Sequence, residues 1–436
     1  MDSGSTKRSR DVIVVGGGPS GLMAALTARK EGADVLLLEK MEEPGKKLLL
    51  TGHGRCNMTN LHADSDLTRS YYKNGRFLSS AFATLPPEKV RWFFDEIGVP
   101  SHEEDDGRIF PDAQKALAVR DALVSAISSS GAVIQTGAAV SSIRRSEEDS
   151  FWRVVTSEGV FTTKTVILAT GGKSFQKTGS EGDGYVLAKM AGHEITALTP
   201  ALAPIFLASF QAPSEDRARC DACGAEFSMA GLSLSDIGVT LVCKGKKVTG
   251  SRGDLLFTHQ GVSGPSVMQL SRSLPQEAEL YETGAVELLV DFLPDMREEQ
   301  VEDKLLSEMT KNPNRHMRRI LCETFSLAEK VAEMLPGLEL AANQVTRELR
   351  KKIVCGLKRC AFTVAKMTPL DLAYVTCGGV AIKGINPKTM ESKLAPGLFI
   401  VGELLDIDGI SGGYNLQCAW ATGYVAGLQA AAKAAD

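Results

Sequence analysis

The chain reads as an α/β fold in which one nucleotide-binding domain is interrupted by an insertion that is first β-rich and then helical. Three observations predict it. A β-α-β unit with a glycine-rich turn opens the chain at Asp11–Lys40. Strands running into glycine loops and helices recur at Thr165–His193 and Gly397–Ala432. Between them, from Pro200 to about residue 362, the residue pattern changes character.

Within the first unit, Asp11–Val15 is an apolar run of strand type, Gly16, Gly18 and Gly21 form G-x-G-x-x-G, and Leu22–Lys30 consists of helix formers. A second apolar run, Asp34–Leu38, ends on Glu39. A lone glycine motif would say little, but strand, turn, helix and second strand together form a dinucleotide fingerprint in its proper context. Gly16 allows the tight turn, Gly18 lets the backbone approach a pyrophosphate, and Gly21 lets helix and strand pack closely. Pro19 and Ser20 then open the helix, where unpaired N–H groups and the dipole favour phosphate. Glu39 stands about 20 residues further on, where a carboxylate takes both ribose hydroxyls, with Lys40 beside it.

Pro44–Asn60, PGKKLLLTGHGRCNMTN, is dense in Gly, Lys, Arg and Asn. Lys46, Lys47, Gly52, Gly54, Arg55, Cys56 and Asn57 supply backbone and cationic donors for a polar or anionic ligand; the plainer alternative is a surface loop. Residues 71–100 read as two helical stretches split by Pro86-Pro87, with Phe77, Ala81, Phe82 and Leu85, then Val90, Phe93, Phe94 and Ile97, in the core. A helix over Ala116–Ser128 precedes strands at Ala132–Thr136, Ala139–Arg144, Trp152–Thr156 and Gly159–Leu168. The run Thr165–Gly172 ends in Ala169, Thr170, Gly171 and Gly172, where backbone can again approach a ligand. In the next turn Asp183 is placed to cap a helix, which is explanation enough for it, or to face the ligand.

Residues 200–295 hold short strands at Ala203–Leu207, Ser235–Val242 and Val286–Asp291, which predicts a small β-barrel or sandwich. Residues 296–362 are helical and charged, with Val301, Leu305 and Met309 on one face and Val345, Leu349, Ile353, Val354 and Leu357 on another. The polar side of the second stripe carries Arg347, Arg350, Lys351, Lys352, Lys358 and Arg359, most simply a solvated face. The domains predicted are therefore 1–199 and 363–436, together binding the nucleotide, around an inserted 200–362. In the last part a strand at Gly397–Val401, then Gly402 and Glu403, lead through DIDGISGGYN into the helix Leu416–Ala432.

A formal net charge of −4 gives no electrostatic case for nucleic acid, and none is expected as a partner. The nine scattered cysteines argue for reduced thiols in a cytoplasmic protein. MDSGSTKRSR lacks the apolar core of a signal peptide, and no apolar run approaches the roughly 18 residues of a membrane span. Cys220 and Cys223 have redox-dithiol spacing without its strand-to-helix setting, so an ordinary loop is expected there and no metal site. Cys56 beside Arg55 has the neighbour that favours a thiolate, though a packed cysteine serves equally.

The opening fingerprint does not separate NAD from a flavin. Three further glycine loops at strand ends favour a longer cofactor, and the absence of a second G-x-G-x-x-G leaves a nicotinamide nucleotide only a transient role. VVGGGPSGLMAA, GKKLLLTGHGRCNMTN, GRIFP, VILATGG, GDGYVLAKMAGH, LFTHQGVSGP, TCGGV and GLFIVGELLDIDGISGGYNLQCAWATGYVAG run from residue 14 to 427. By these the chain resembles the YhiN/HI-type (BaiN-like) NAD(P)/FAD-dependent oxidoreductase flavoproteins. It departs from them at Glu181, where a Thr is expected.

The resemblance implies a glutathione-reductase-like FAD-binding Rossmann domain with an inserted β-barrel plus helical subdomain, and non-covalent FAD. Glu39 would hold the adenosine ribose, Gly16–Gly21 the pyrophosphate, Val140 the adenine through its backbone, and Glu403 the ribityl-phosphate end. Gly413, Tyr414 and Asn415 would start a helix aimed at the flavin's pyrimidine edge, where a helix N-terminus stabilises negative charge. Arg55 and His259 are the candidate catalytic groups near flavin or substrate. The implied activity is reduction by NADH or NADPH of an activated C=C bond in a small hydrophobic substrate such as a 3-oxo bile acid or steroid enone. The rival readings are a flavin oxidase of a small amine or other metabolite, and an FAD-binding accessory protein in RNA modification.

Overall fold

The computed structural model describes residues 8–61, 66–210, 218–219, 226–227 and 230–436, so Cys220 and Cys223 lie outside the described residues. The chain divides into two compact units, one of residues 1–199 with 374–436 and one of residues 200–373.

The first unit is built on β1 (Ser9–Val15), α1 (Pro19–Lys30) and β2 (Val35–Leu38). Two short strands, β3 (Thr59–Asn60) and β4 (Ser101–Glu103), flank β5 (Arg108–Pro111) in a separate three-stranded sheet, with α2 (Ser79–Thr84) and α3 (Pro87–Glu96) between β3 and β4. After these come α4 (Ala116–Ser130), β6 (Val133–Gln135), β7 (Val140–Arg145), β8 (Trp152–Thr156), β9 (Gly159–Leu168) and α5 (Asp183–Met190).

The main sheet runs β6-β2-β1-β9-β8-β7. Its central pairs are parallel, and β9 divides its outer edge between β8, antiparallel over Gly159–Thr163, and the returning strand Leu398–Ile400, parallel over Val166–Leu168. Val12–Val15, Val35–Leu38, Val166–Leu168 and Leu398–Ile400 are all buried, the unbroken apolar run required of parallel strands covered on both faces. The long C-terminal helix Gly412–Ala435 packs on α1 almost backbone to backbone. A Cβ on Gly423 would come within 2.3 Å of the Ser20 carbonyl oxygen, and one on Gly427 within 2.6 Å of that of Ala24. The same helix anchors the loop before β3. Trp420 Nε1 donates to the Met58 carbonyl at 3.0 Å, Thr59 Oγ1 donates to Gln417 Oε1 at 2.7 Å, and Gln417 Nε2 donates to the Leu85 carbonyl at 2.8 Å.

One buried histidine is expected to make this unit acid-sensitive. Ser392 Oγ accepts from the N–H groups of Leu394 and Ala395, so its own hydrogen points to His193 Nε2, 2.8 Å away. Burial holds the imidazole pKa below its ordinary value. A depressed folded pKa means stability that is complete above the unfolded pKa of about 6.5 and is lost as pH falls from there toward the folded value. The slope attributable to one proton is at most about 1.4 kcal/mol per pH unit. Urea midpoints measured from pH 7.5 to 5.0 are expected to fall more steeply for the native protein than for His193→Gln; equal slopes would show that the fold tolerates the imidazolium.

The second unit is a closed antiparallel barrel of Ile205–Leu207, Gly261–Ser263, Lys246–Thr258, Ser233–Cys243, Val286–Asp291 and Cys360–Lys366. Alternate residues point inward, among them Val239, Leu241, Leu255, Phe257, Val286, Leu288, Val290, Phe362 and Val364. The closing strand Cys360–Lys366 lies beyond the helical segment and pairs with both Val286–Asp291 and Ile205–Leu207. The helices Glu298–Lys311, Met317–Phe325, Glu329–Glu333 and Arg347–Lys358 are therefore an insertion within the barrel rather than its sequel, and the unit runs to Ala373 instead of ending at 362. Much of the basic stripe is spent on packing. Lys358 bonds Asp291 at 2.7 Å and the carbonyls of Leu293 and Met296, Arg350 pairs with Glu302, and Arg359 with Glu298. Arg347, Lys351 and Lys352 are exposed.

Candidate active site

Two helices of the first unit, α1 and the C-terminal helix, follow glycine-containing turns at strand ends, and like α2–α5 they start without a side-chain cap. α1 starts after Gly18 with no capping side chain and no acid in its first turn, and the C-terminal helix starts after Ser411 in the same condition. Each therefore presents unpaired N–H groups and a positive dipole end. At α1, Gly16 takes φ 103, and a Cβ on it would press on the Ala169 carbonyl at 2.6 Å. Glu39 stands beside this turn with one oxygen accepting from Gly17 N at 2.7 Å and the other from Met41 N at 2.8 Å. Two backbone bonds fix the carboxylate, and each oxygen keeps a lone pair for a ribose hydroxyl.

Lys40 is committed elsewhere. Its ammonium donates to Asp183 at 2.6 Å and Glu181 at 2.7 Å; burial opposes the charge, but the two carboxylates outweigh it and raise the pKa. Asp183 is accordingly not the helix cap expected of it. It is the first residue of α5, Gly182 precedes it without a capping bond, and its side chain reaches Lys40 instead. The unusual Glu181 completes the same pairing.

Next along the site, Lys47 Nζ donates to both oxygens of Glu403, at 3.0 and 2.8 Å, and to Ser174 Oγ at 2.8 Å. Glu403 also accepts from Thr376 N at 2.9 Å. Gly172 lies against this cluster, since a Cβ there would come within 2.9 Å of Glu403 Oε1 and 2.5 Å of Thr376 Oγ1. Lys46 and Val140 are half-buried, Val140 as the first residue of β7. Ser174 and Thr376 escaped the sequence reading; the polar side chain two residues after Gly172 was the available signal.

At the second helix N-terminus, a Cβ on Gly413 would meet Asn57 Nδ2 at 2.7 Å and Oδ1 at 2.8 Å. Asn415, expected to face the cofactor, spends its amide on its own loop: Oδ1 accepts from Gly409 N, and Nδ2 donates to the carbonyls of Gly409 and Ser411. The Tyr414 carbonyl accepts from the Tyr71 hydroxyl at 2.7 Å. Gly402, Gly52 and Gly54 all take positive φ, as do His53 and Cys56, so the Gly52–Cys56 turn is left-handed at every residue but Arg55, which keeps an ordinary φ of −93. Cys56 is packed, and burial pushes its thiol up to about 12, against the lowering effect of a bond with Thr51; this overturns the thiolate reading.

Arg55 lies 4.0 Å over the Phe110 ring and pairs with Glu104 at 2.8 Å. It belongs to the first unit, whereas His259 is an exposed residue of the barrel unit, in the turn between the strands Lys246–Thr258 and Gly261–Ser263.

Asn57 Oδ1, Thr170 Oγ1 and Tyr185 Oη are among the buried polar atoms with no hydrogen-bond partner in the described residues. Such atoms ordinarily find a ligand or water. With two open helix N-termini, a fixed carboxylate and glycine-lined strand ends, they fit a long cofactor carrying a pyrophosphate, a ribose and a polar ring, as FAD does.

Comparison with known proteins agrees. A 3-dehydro-bile acid delta(4,6)-reductase of Clostridium scindens is 31% identical over 427 residues, 96% of this chain and 98% of the relative. A ribosomal RNA dihydrouridine synthase of Haemophilus influenzae is 30% identical over 424 residues, 95% of this chain and 97% of the relative. The structure of a 3-ketosteroid delta1-dehydrogenase from Sterolibacterium denitrificans superposes with TM-score 0.53 at 13% identity, covering 98% of this chain and 100% of that one, a likeness of fold. The family model described as HI0933-like protein Rossmann domain matches residues 10–429.

Proposed function

The chain belongs to the HI0933-like Rossmann family of flavoproteins, and from that premise we propose that it is a cytoplasmic FAD-dependent reductase that uses NADH or NADPH to saturate a C=C bond conjugated to a carbonyl. The observation that carries this reading is the end-to-end similarity to the Clostridium scindens bile-acid reductase. The second relative supports the same chemistry on another substrate, because forming dihydrouridine also saturates a C=C bond next to a carbonyl.

FAD, when bound, supplies the two-electron reduction. The chain's own contribution is to hold the pyrophosphate at α1, the ribose on Glu39 and the polar ring beside Asn57 and the C-terminal helix. Arg55 is our choice for the cation that meets the substrate carbonyl, where negative charge develops as the conjugated bond is reduced. The substrate we favour is small and hydrophobic, a 3-oxo bile acid or steroid enone. Against RNA stand the net charge of −4 and the pairing of Arg350, Lys358 and Arg359 with acids of their own unit. The similarity to the Haemophilus influenzae relative favours a uridine in RNA.

The deciding experiment is an anaerobic absorbance titration of the purified protein with NADH and with NADPH, followed by addition of a steroid enone, an oxo-bile acid or a uridine-containing rRNA fragment. Bleaching by one nucleotide and recovery on the enone are expected. Recovery on the RNA alone would transfer the activity to uridine. Recovery in air without either acceptor would make it an oxidase, and flavin that neither nucleotide reduces would refute the reductase.

A further inference from the structure

Arg55 is the end of a chain of side chains whose hydrogen-bond directions are all determined. Its Nη1 donates to Glu104 Oε1 at 2.8 Å and to Gln114 Oε1 at 3.3 Å. The other end of the Gln114 amide, Nε2, lies 2.8 Å from His102 Nε2, and His102 Nδ1 lies 2.9 Å from Asp112 Oδ1. β4 and β5 bring these together, with His102 opposite Phe110 in register, and Arg55 lies over that same Phe110 ring.

The logic is one of donors and acceptors. A guanidinium only donates, so Gln114 must turn its oxygen to Arg55 and its NH2 to His102. His102 Nε2 must then accept, which leaves the ring neutral with its hydrogen on Nδ1, donated to the acceptor-only carboxylate of Asp112. A proton added at Nε2 would set two donors face to face. The amide can answer only by rotating, and its NH2 would then face Arg55, breaking that bond and leaving the guanidinium to Glu104 alone. Gln114 is also held in the left-handed region, at φ 51, a conformation a long side chain seldom adopts and one that persists only where its surroundings impose it. The other charged groups around His102 are Glu103 and Glu104 beside it in sequence, Arg108 on β5, which pairs with Glu104 and Asp106, and Arg91 on α3, which bonds Ser101. The Gln114 amide, at 2.8 Å, is the partner of His102 Nε2.

We propose that Gln114, oriented by the Asp112–His102 pair, is the positioning residue that sets the direction of the Arg55 guanidinium, and that protonation of His102 uncouples the two. The role of Arg55 in reduction rests on the function proposed above; the coupling itself does not.

The test uses flavin-loaded protein labelled with 15N at histidine and arginine, the signals assigned with His102→Gln and Arg55→Lys. At neutral pH His102 is expected as the Nδ1–H tautomer, and the Arg55 side-chain signal is expected to shift along the same pH curve as His102. In Gln114→Glu the carboxylate accepts from Arg55 whatever the state of His102, so the Arg55 signal should stay still while His102 titrates. Gln114→Leu should slow enone-dependent reoxidation of the reduced protein about tenfold, the equivalent of one charge-assisted hydrogen bond, and Gln114→Glu should restore it. An Nε2–H tautomer, or an Arg55 signal indifferent to His102 in the native protein, overturns the coupling. Absence of enone-dependent reoxidation in the native protein, seen in the absorbance of the same samples, is instead a failure of the reductase reading and leaves the NMR result to decide the coupling.

Discussion

Gly18→Ala is expected to weaken FAD binding at least tenfold while leaving the stability of the flavin-free protein within about 0.5 kcal/mol of native, and Gly21→Val is expected to damage both. The two glycines share one motif but answer to different neighbours. Gly18 has ordinary backbone, φ −76, and a Cβ on it would meet nothing nearer than the Ala169 carbonyl oxygen at 3.9 Å. Nothing in the protein forbids a side chain there, so the requirement for glycine comes from the pyrophosphate that the turn receives. A Cβ on Gly21 would lie 1.9 Å from the Gly16 carbonyl oxygen and 3.2 Å from the Ala169 Cβ. Relief would need the backbone of the β1–α1 turn to move, an overpacking cost of about 1–3 kcal/mol or more. Flavin-to-protein ratios after gel filtration, fluorescence titration with FAD and urea unfolding of the flavin-free forms measure each term. A Gly18→Ala protein that binds FAD normally would remove the pyrophosphate from this turn.

That separation also marks how much was legible in the sequence. The β1–α1–β2 unit, the strands through Leu168, the apolar stripes of the inserted helices and the returning strand before the C-terminal helix all obey local rules of period and punctuation, which one window of sequence contains. Closure of the barrel does not. Cys360–Lys366 pairs with Ile205–Leu207 across more than 150 residues, and its alternating Cys360, Phe362 and Val364 come directly after a charged helix, so the segment reads as the start of the next domain. The long-range side-chain pairings were equally hidden. Asp183 looked like a cap because a capping residue is recognised by the helix formers on its C-terminal side, whereas its partner, Lys40, lies 143 residues earlier. Gln114 and His102 carried no motif, and the left-handed backbone that singles out Gln114 leaves no trace in a residue that elsewhere adopts ordinary φ.

Lys47 and Glu403 are expected to show the largest non-additivity in the molecule. Each side chain is only 20% exposed, the two are 356 residues apart, and they tie the loop after β2 to the turn after Leu398–Ile400. Lys47→Met would leave the Glu403 carboxylate with Thr376 N and Ser174 Oγ but without a cation, and breaking a buried pair from one side costs about 3–5 kcal/mol. Partial solvent access places the expected loss below that range, at about 2–3 kcal/mol. Glu403→Leu alone would strand the ammonium on Ser174 with a similar loss. The double variant removes both charges together and is expected to cost less than either single change, because replacing a whole ion pair by apolar groups is often close to neutral. A urea double-mutant cycle on the flavin-free protein gives the coupling energy directly. Additive losses would mean that the pair is solvated in practice and that its place beside Gly172 serves the cofactor rather than the fold. Coupling that appears only with FAD bound would assign the pair to holding the two strand ends around the ligand.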